Sequence, residues 1–171
     1  PRPAKAGRPP GGSSKVAEPH LLESGVAARC EDERIARLVA LFETLVAADL
    51  DRLHEFYAAD ARFKDPFNDV QGVAAVRAVY AHMFRALDEP RFVVRDIVAQ
   101  RDQCFLTWDF VFRFKRFSRE LQTVRGATQL RLDGDGRIAE HRDWWDAAEE
   151  LYEKLPGIGA CMRGMKRRAN A

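Results

Sequence analysis

The 171-residue sequence has few of the groups on which metal and cofactor chemistry depends. Its three cysteines, Cys30, Cys104 and Cys161, are odd in number, far apart and without the paired spacing of a zinc site. It contains no glycine-rich phosphate loop, no His/Cys cluster at metal-ligand spacing and no nucleophile elbow around a serine or cysteine. These absences argue against metal and nucleotide chemistry, and we expect no metal and no cofactor.

Long apolar runs are also lacking. No window approaches the roughly 18 uninterrupted apolar residues of a membrane span, and no segment has the basic and apolar regions of a signal peptide. Together with the unpaired cysteines, this predicts a cytoplasmic protein with reduced thiols. The net charge of +2 combines basic ends with an acidic middle, so nucleic acid is not an expected partner.

The composition divides the chain into three parts. Residues 1–30 hold five of the eight prolines and a Gly-Gly-Ser-Ser run, which predicts a disordered basic tail. Residues 31–156 form the expected domain, with a core of ordinary size. Residues 157–171 are predicted to form a basic helical extension. Two interpretations of it stay open: a helix end whose cations complement the macrodipole, or a contact with a membrane surface or an acidic partner.

Within the domain, helical periodicity comes first and strand alternation follows. Apolar residues recur at helical spacing over 33–48 and 50–58, and again between Gly72 and Glu89. Alternating segments at 92–100, 104–117, 121–132 and 137–145 then predict strands, the last two joined by a tight Asp-Gly turn. This order predicts an α+β architecture.

One extended segment, residues 61–65, is predicted to direct the Asp65 carboxylate towards the buried side of the domain. Ala61, Phe63 and Asp65 share one face, and Arg62 and Lys64 share the other. The proline that follows keeps Asp65 out of the helical region. A buried aspartate beside aromatic rings would have a raised pKa, which suits proton transfer.

The stretch from Leu50-Asp51 to Asp65-Pro66, followed by Gly-Val-Ala-Ala-Val-Arg at 72–77, resembles the nuclear transport factor 2-like superfamily. This superfamily includes ketosteroid isomerases, SnoaL-like polyketide cyclases and limonene epoxide hydrolases. The resemblance covers about residues 32–156. It implies a curved antiparallel sheet wrapped around about three helices, forming a cone with a cavity. Members are often homodimers through the outer sheet face, which would suit the Val111 face here.

The resemblance implies two catalytic residues. Asp65 matches the aspartate that shuttles a proton between carbons in the isomerases, although an aspartate before proline can simply cap a loop. Asp143 lies in Glu-His-Arg-Asp-Trp-Trp-Asp, which resembles patterns of the SnoaL-like cyclases and the epoxide hydrolases whose aspartate is an acid/base group. The alternative is a His141–Asp143 pair that only satisfies the sheet rim.

The remaining candidates would bind a ligand. Tyr80 matches a tyrosine of the isomerases' third helix, although it could equally be a core tyrosine with a satisfied hydroxyl. A largely aromatic cone suits an apolar ligand with one carbonyl or hydroxyl group, unless the rings simply fill it. The further predicted ligand-binding residues are Phe63, Trp108, Phe110, Thr128, His141 and Trp145.

Departures from the family patterns limit the chemistry. The isomerases' principal oxyanion tyrosine falls at Leu41 and their protonated aspartate at Thr128, while the epoxide hydrolases' Arg-x-Asp pair falls at Trp108 and Phe110. Losing one oxyanion donor costs ~2.7–4 kcal/mol of transition-state stabilisation, so we expect no full steroid isomerase. Two functions remain: a cofactor-free isomerase or cyclase of an apolar carbonyl compound, or a non-catalytic module that binds a small molecule or a protein.

Overall fold

The computed structural model describes residues 30–116 and 119–147. The predicted tail up to residue 29, the extension 157–171 and most of the helix predicted after Asp146 lie outside the described residues, so the domain boundaries remain predictions. In chain order the elements are α1 (Glu33–Thr44), a 3-10 helix (Ala47–Glu55), β1 (Tyr57–Lys64), β2 (Asp69–Gln71), α2 (Val73–Ala86), β3 (Leu87–Gln100), β4 (Gln103–Phe114), β5 (Gln122–Leu132) and β6 (Ile138–Trp144).

The strands form one curved, six-stranded sheet in the order β2-β1-β6-β5-β4-β3. Neighbouring strands are antiparallel except β1 and β6, which are parallel. These two lie side by side although the β3–β5 meander separates them along the chain. Three helices of the described ranges accompany the sheet, and this α+β architecture confirms the predicted fold class. None of the helices described is long and apolar enough to cross a membrane.

The first two helices differ from their predicted lengths. Asp32 caps α1 by accepting a hydrogen bond from the Arg34 amide, but α1 ends at Thr44 because Leu45 is extended. Asp49 then accepts a hydrogen bond from the Val46 amide and starts a 3-10 helix where an α-helix over 50–58 was predicted. That helix ends before Tyr57, which therefore becomes the first residue of β1.

Strand β3 begins five residues earlier than predicted, and Pro90 lies inside it. Because proline cannot donate a ladder hydrogen bond, it is accommodated only at an edge or an irregularity. Both conditions are met, since β3 is an edge strand and its register with β4 shifts between Asp88 and Arg91. Glu89 has a φ of 48° at this shift.

The inner face of the sheet packs against α1 and α2. In β4 the even-numbered residues face inward, as predicted, and burial raises the pKa of the free thiol of Cys104 to about 12. On the outer face, the exposed cross-strand partners Val98 and Phe105 lie where a homodimer contact was expected. The homodimer stays a prediction. The most deeply buried core residues are Ile35, Leu38, Val39, Leu53, Tyr57, Ala61, Val76, Cys104, Leu106, Leu130 and Ile138.

Candidate functional site

A cavity of about 330 Å³ lies between α2 and the inner face of the sheet. Its wall is mostly aromatic, and both predicted catalytic carboxylates belong to it. The cavity thus lies among the aromatic residues that were expected to line it, and their side chains do not fill it. The predicted site residues in its wall are Phe63, Asp65, Tyr80, Trp108, Phe110, Asp143 and Trp145.

The two oxygens of the Asp143 carboxylate have different surroundings. Oδ1 accepts a hydrogen bond of 2.5 Å from the hydroxyl of Thr128, its cross-strand partner on β5, and lies 2.9 Å from Nε2 of His141. Among the described residues, none donates a hydrogen bond to Oδ2. Only 13% of this side chain is exposed. Asp143 is thus held firmly by one oxygen and keeps the other for a ligand.

A buried chain of hydrogen bonds continues behind Asp143. The hydroxyl of Tyr57 lies 2.7 Å from Nδ1 of His141 and 3.1 Å from the hydroxyl of Tyr80. A neutral imidazole has one donor and one acceptor nitrogen. With its proton on Nε2, directed at Asp143, His141 accepts from Tyr57, and Tyr57 accepts from Tyr80. With its proton on Nδ1 the chain runs in the opposite direction and the Tyr80 O–H is free to point elsewhere, but Nε2 then has no proton to donate to Asp143.

Both tyrosine hydroxyls remain protonated in this environment. Burial, followed by the proximity of Tyr80, raises the pKa of Tyr57 well above its usual value. Burial and then the charge of Asp143 raise the pKa of Tyr80, with a smaller contribution from Asp65. The cavity wall therefore presents a neutral phenol beside two carboxylates.

Thr128 and His141, predicted to bind a ligand directly, lie behind the wall instead. Thr128 accepts a hydrogen bond of 2.7 Å from Nε1 of Trp108 and donates one from its hydroxyl to Asp143. Both residues are almost fully buried and line only a very small void beside the cavity. The structure gives them contact with Asp143, and their binding of a ligand remains a prediction.

The indole ring of Trp108 can occupy its position because its cross-strand partner, Gly126, has no side chain. A Cβ at Gly126 would lie 2.6 Å from the Cζ2 atom of the indole ring, and closer still to Cη2. The ring thus lies directly on the glycine backbone. This close approach brings Nε1 to Thr128.

Asp65 is half-buried at the loop between β1 and β2, where a buried side chain was expected. Oδ1 accepts hydrogen bonds from the amides of Phe67 and Asn68, at 2.7 and 2.6 Å. The side-chain amide of Asn68 donates to both oxygens, at 3.0 and 2.9 Å. The carboxylate thus caps the loop and borders the cavity at the same time. Its role as a base stays a prediction.

Sequence reasoning missed Tyr57. The predicted helix over 50–58 made it a core residue, whereas β1 turns it towards His141. Sequence alternation gave no signal for it, because β1 is irregular between Tyr57 and Arg62. In the described ranges, no three His, Cys, Asp or Glu side chains cluster so that they could hold a metal ion.

The fold and the cavity define a nuclear transport factor 2-like protein with a carboxylate facing an apolar interior. Residues 38–141 match the family model of the SnoaL-like domain, and the chain belongs to this family. The predicted superfamily is confirmed. A search of curated proteins found none that matches.

Several solved structures are similar. A protein of ketosteroid isomerase-like fold from Catenulispora acidiphila, solved in complex with trimethylamine, has 16% identity and a TM-score of 0.60, with 70% of this chain and 89% of that chain covered. A protein described as a SnoaL-like polyketide cyclase from Jannaschia sp. CCS1 has 18% identity and a TM-score of 0.59, covering 68% and 88%. TsrD from Streptomyces laurentii has 16% identity and a TM-score of 0.59, covering 79% and 98%. At such identities the likeness shows a shared fold.

Proposed function

We propose that this protein is a cofactor-free acid/base enzyme that enolises, isomerises or cyclises an apolar carbonyl compound, with Asp143 as the acid/base group. The observation that carries the proposal is the asymmetry of the Asp143 carboxylate. Oδ1 is fixed by Thr128 and His141, whereas Oδ2 borders the cavity without a donor among the described residues. A carboxylate held in this way is positioned to accept a proton from a bound molecule.

In the proposed reaction, Oδ2 removes a proton from the carbon next to the substrate carbonyl. The C–H electron pair forms a carbon–carbon double bond, and the carbonyl oxygen becomes an enolate. Tyr80 donates to that oxygen when its O–H turns from Tyr57 to the substrate, so that His141 keeps its proton on Nε2 and its hydrogen bond to Asp143. Return of the proton from Oδ2 to another carbon completes an isomerisation.

A second candidate is a binding module without chemistry, which the geometry of Asp65 favours. A base in the isomerase pattern needs a free oxygen, and both oxygens of Asp65 already accept hydrogen bonds from Asn68. If Asp143 likewise serves only to complete its pair with His141, the cavity would store an apolar molecule without converting it.

Proton exchange into a model ketone separates the two candidates. We would incubate 2-tetralone with the protein in D2O and follow loss of its α-proton signals by NMR. Asp143→Asn keeps the size of the side chain and is expected to slow the catalysed exchange by ~10²–10⁴-fold. Asp60→Asn, an exposed change on β1 with the same effect on net charge, is the matched control and should exchange at the wild-type rate.

The same assay decides the role of Asp65. A loss of exchange in Asp65→Asn comparable to that in Asp143→Asn would make Asp65 a second base, and a near-normal rate would leave it as a loop cap. If Asp143→Asn exchanges as fast as the wild type, our assignment of the base is wrong. If the folded protein is no faster than the unfolded chain, the binding module is the better description.

A further inference from the structure

The charges around the cavity are unbalanced. Among the described residues of its wall, Asp65 and Asp143 are acidic and none is lysine or arginine. Neither carboxylate forms an ion pair with a described lysine or arginine, since the donors to them are amides, a hydroxyl and an imidazole. The exposed His82 is the one imidazole in the described wall. Two acidic groups thus face a small, largely apolar volume without a fixed cation.

The rest of the wall is suited to a cation as well. Aromatic rings carry negative charge density on their faces and attract ammonium groups, most strongly where water is excluded. Phe92 stacks on Phe110 with ring centroids 4.6 Å apart, and Phe67 meets Trp145 edge-on at 5.3 Å. The aromatic residues of the wall are Phe63, Phe67, Tyr80, Phe92, Trp108, Phe110, Phe112, Phe114 and Trp145.

The two carboxylates are suited to different tasks. The Asp65 carboxylate accepts four hydrogen bonds, from the Phe67 amide and from Asn68, which fix its position next to the exposed Phe67 in the loop. Hydrogen bonds to both oxygens fix the direction of this carboxylate and occupy acceptor sites that a base would use. The Asp143 side chain is only 13% exposed, and one of its oxygens has no hydrogen-bond donor among the described residues. The charge at the exposed edge can therefore bind while the inner carboxylate reacts.

We infer that the cavity selects a ligand carrying a tertiary or quaternary ammonium group, with Asp65 as the counter-charge and the aromatic faces around the N-alkyl groups. This inference rests on the proposed function, because it names the substrate class of the same site: an apolar amine whose carbonyl-bearing end reaches Asp143. A neutral compound of the same shape gains neither the charge attraction nor the cation–π contact.

A pair of probes that differ only in charge tests this inference. Choline and its neutral carbon isostere, 3,3-dimethylbutan-1-ol, have the same shape, and calorimetric titration of the full chain gives the affinity of each. We expect choline to bind the wild type at least about tenfold more tightly. Asp65→Asn should reduce this preference about tenfold, with little change for the isostere, whereas Asp60→Asn should preserve it.

Intermolecular NOEs provide a second measurement on the wild-type protein, which remains decisive if Asp65→Asn does not fold. The N-methyl protons of choline should show NOEs to the indole of Trp145. Equal affinity for the two probes, tighter binding of the isostere, binding of neither, or NOEs that place the methyl groups away from Trp145 would each overturn the inference. An equal loss of the preference for choline in Asp65→Asn and Asp60→Asn would also overturn it, because a charge outside the cavity would then account for the preference.

Binding and chemistry fail separately in these experiments. The choline pair is read without turnover, and the exchange assay uses a neutral ketone. A protein that exchanges protons through Asp143 but shows no preference for choline would keep the proposed function and lose its substrate class. A protein that prefers choline but does not catalyse exchange would keep the ammonium-binding site and lose the proposed acid/base function.

Discussion

Thr128 connects two buried polar groups through one hydroxyl, so its replacement by valine tests the site directly. The hydroxyl accepts a hydrogen bond from Nε1 of Trp108 and donates one to Oδ1 of Asp143. Valine has nearly the same shape and neither bond. The change therefore leaves the indole N–H without a partner in a side chain that is only 5% exposed, and it removes one of the two groups that hold the carboxylate.

The expected cost follows from these two losses. A buried donor without a partner costs ~1–3 kcal/mol, and a hydrogen bond to a charged group contributes ~1.5–3 kcal/mol. Because the two share one hydroxyl and the neighbours relax, we expect a combined loss of about 2–4 kcal/mol in the free energy of unfolding. This is a large part of the ~5–15 kcal/mol that stabilises a typical domain.

Urea denaturation of the wild type and the variants gives the required free energies. Thr107→Val is the matched control, because Thr107 lies on β4 and bonds Asp96 on the exposed face of the sheet. Its replacement should cost less than about 1 kcal/mol. Thr128→Ser restores the hydroxyl and should recover most of the loss. If Thr128→Val costs no more than Thr107→Val, the buried connection between Trp108 and Asp143 is not present in solution.

Two further outcomes follow from the same region. Gly126→Ala should displace the Trp108 ring, because the added methyl group overlaps the indole. We expect a loss of ~1–3 kcal/mol in the free energy of unfolding and a changed near-ultraviolet circular dichroism spectrum. An unchanged spectrum would contradict the packing of Trp108 on Gly126. Spectrophotometric titration should show Tyr57 and Tyr80 still protonated at a pH at which a free tyrosine has ionised. The free energy of unfolding should fall as pH rises above about 10, because the unfolded chain then releases protons that the folded chain retains. Ionisation of all three tyrosines of the folded chain at the ordinary pKa would contradict their burial.

The elements that follow strict periodicity could be predicted from the sequence. The apolar stripe of α1 and the alternation of β4 each reflect burial on one face, which is a local property of the sequence. The second helix was not predictable in the same way. Its apolar spacing is compatible with a 3-10 helix as well as an α-helix, so the sequence pattern does not distinguish them. Because the 3-10 helix ends at Glu55, Tyr57 belongs to β1 instead of the helix.

The hydrogen-bonded chain of the site was less accessible to prediction. Its members come from β1, α2, β5 and β6, and no local pattern specifies which of them meet. Thr128 was noted because an acidic residue stands at its position in the isomerases, so the sequence showed a loss there. In the structure, the same position supplies the hydroxyl that fixes Asp143. What a substitution removes can be seen in one sequence, whereas what it contributes depends on the partner across the strand.

The two carboxylates show why residue type alone does not assign a role. Both face the same cavity, and both match an acidic residue that carries out proton transfer in related families. Within the part of the chain that the structure describes, Asp65 accepts four hydrogen bonds, three of them from Asn68, whereas both partners of the Asp143 carboxylate contact the same oxygen. The first arrangement fixes a charge, and the second leaves an acceptor for a proton. Because donors placed by the backbone decide between them, moving Asn68 or Thr128 would change the chemistry of the site as much as replacing either acid.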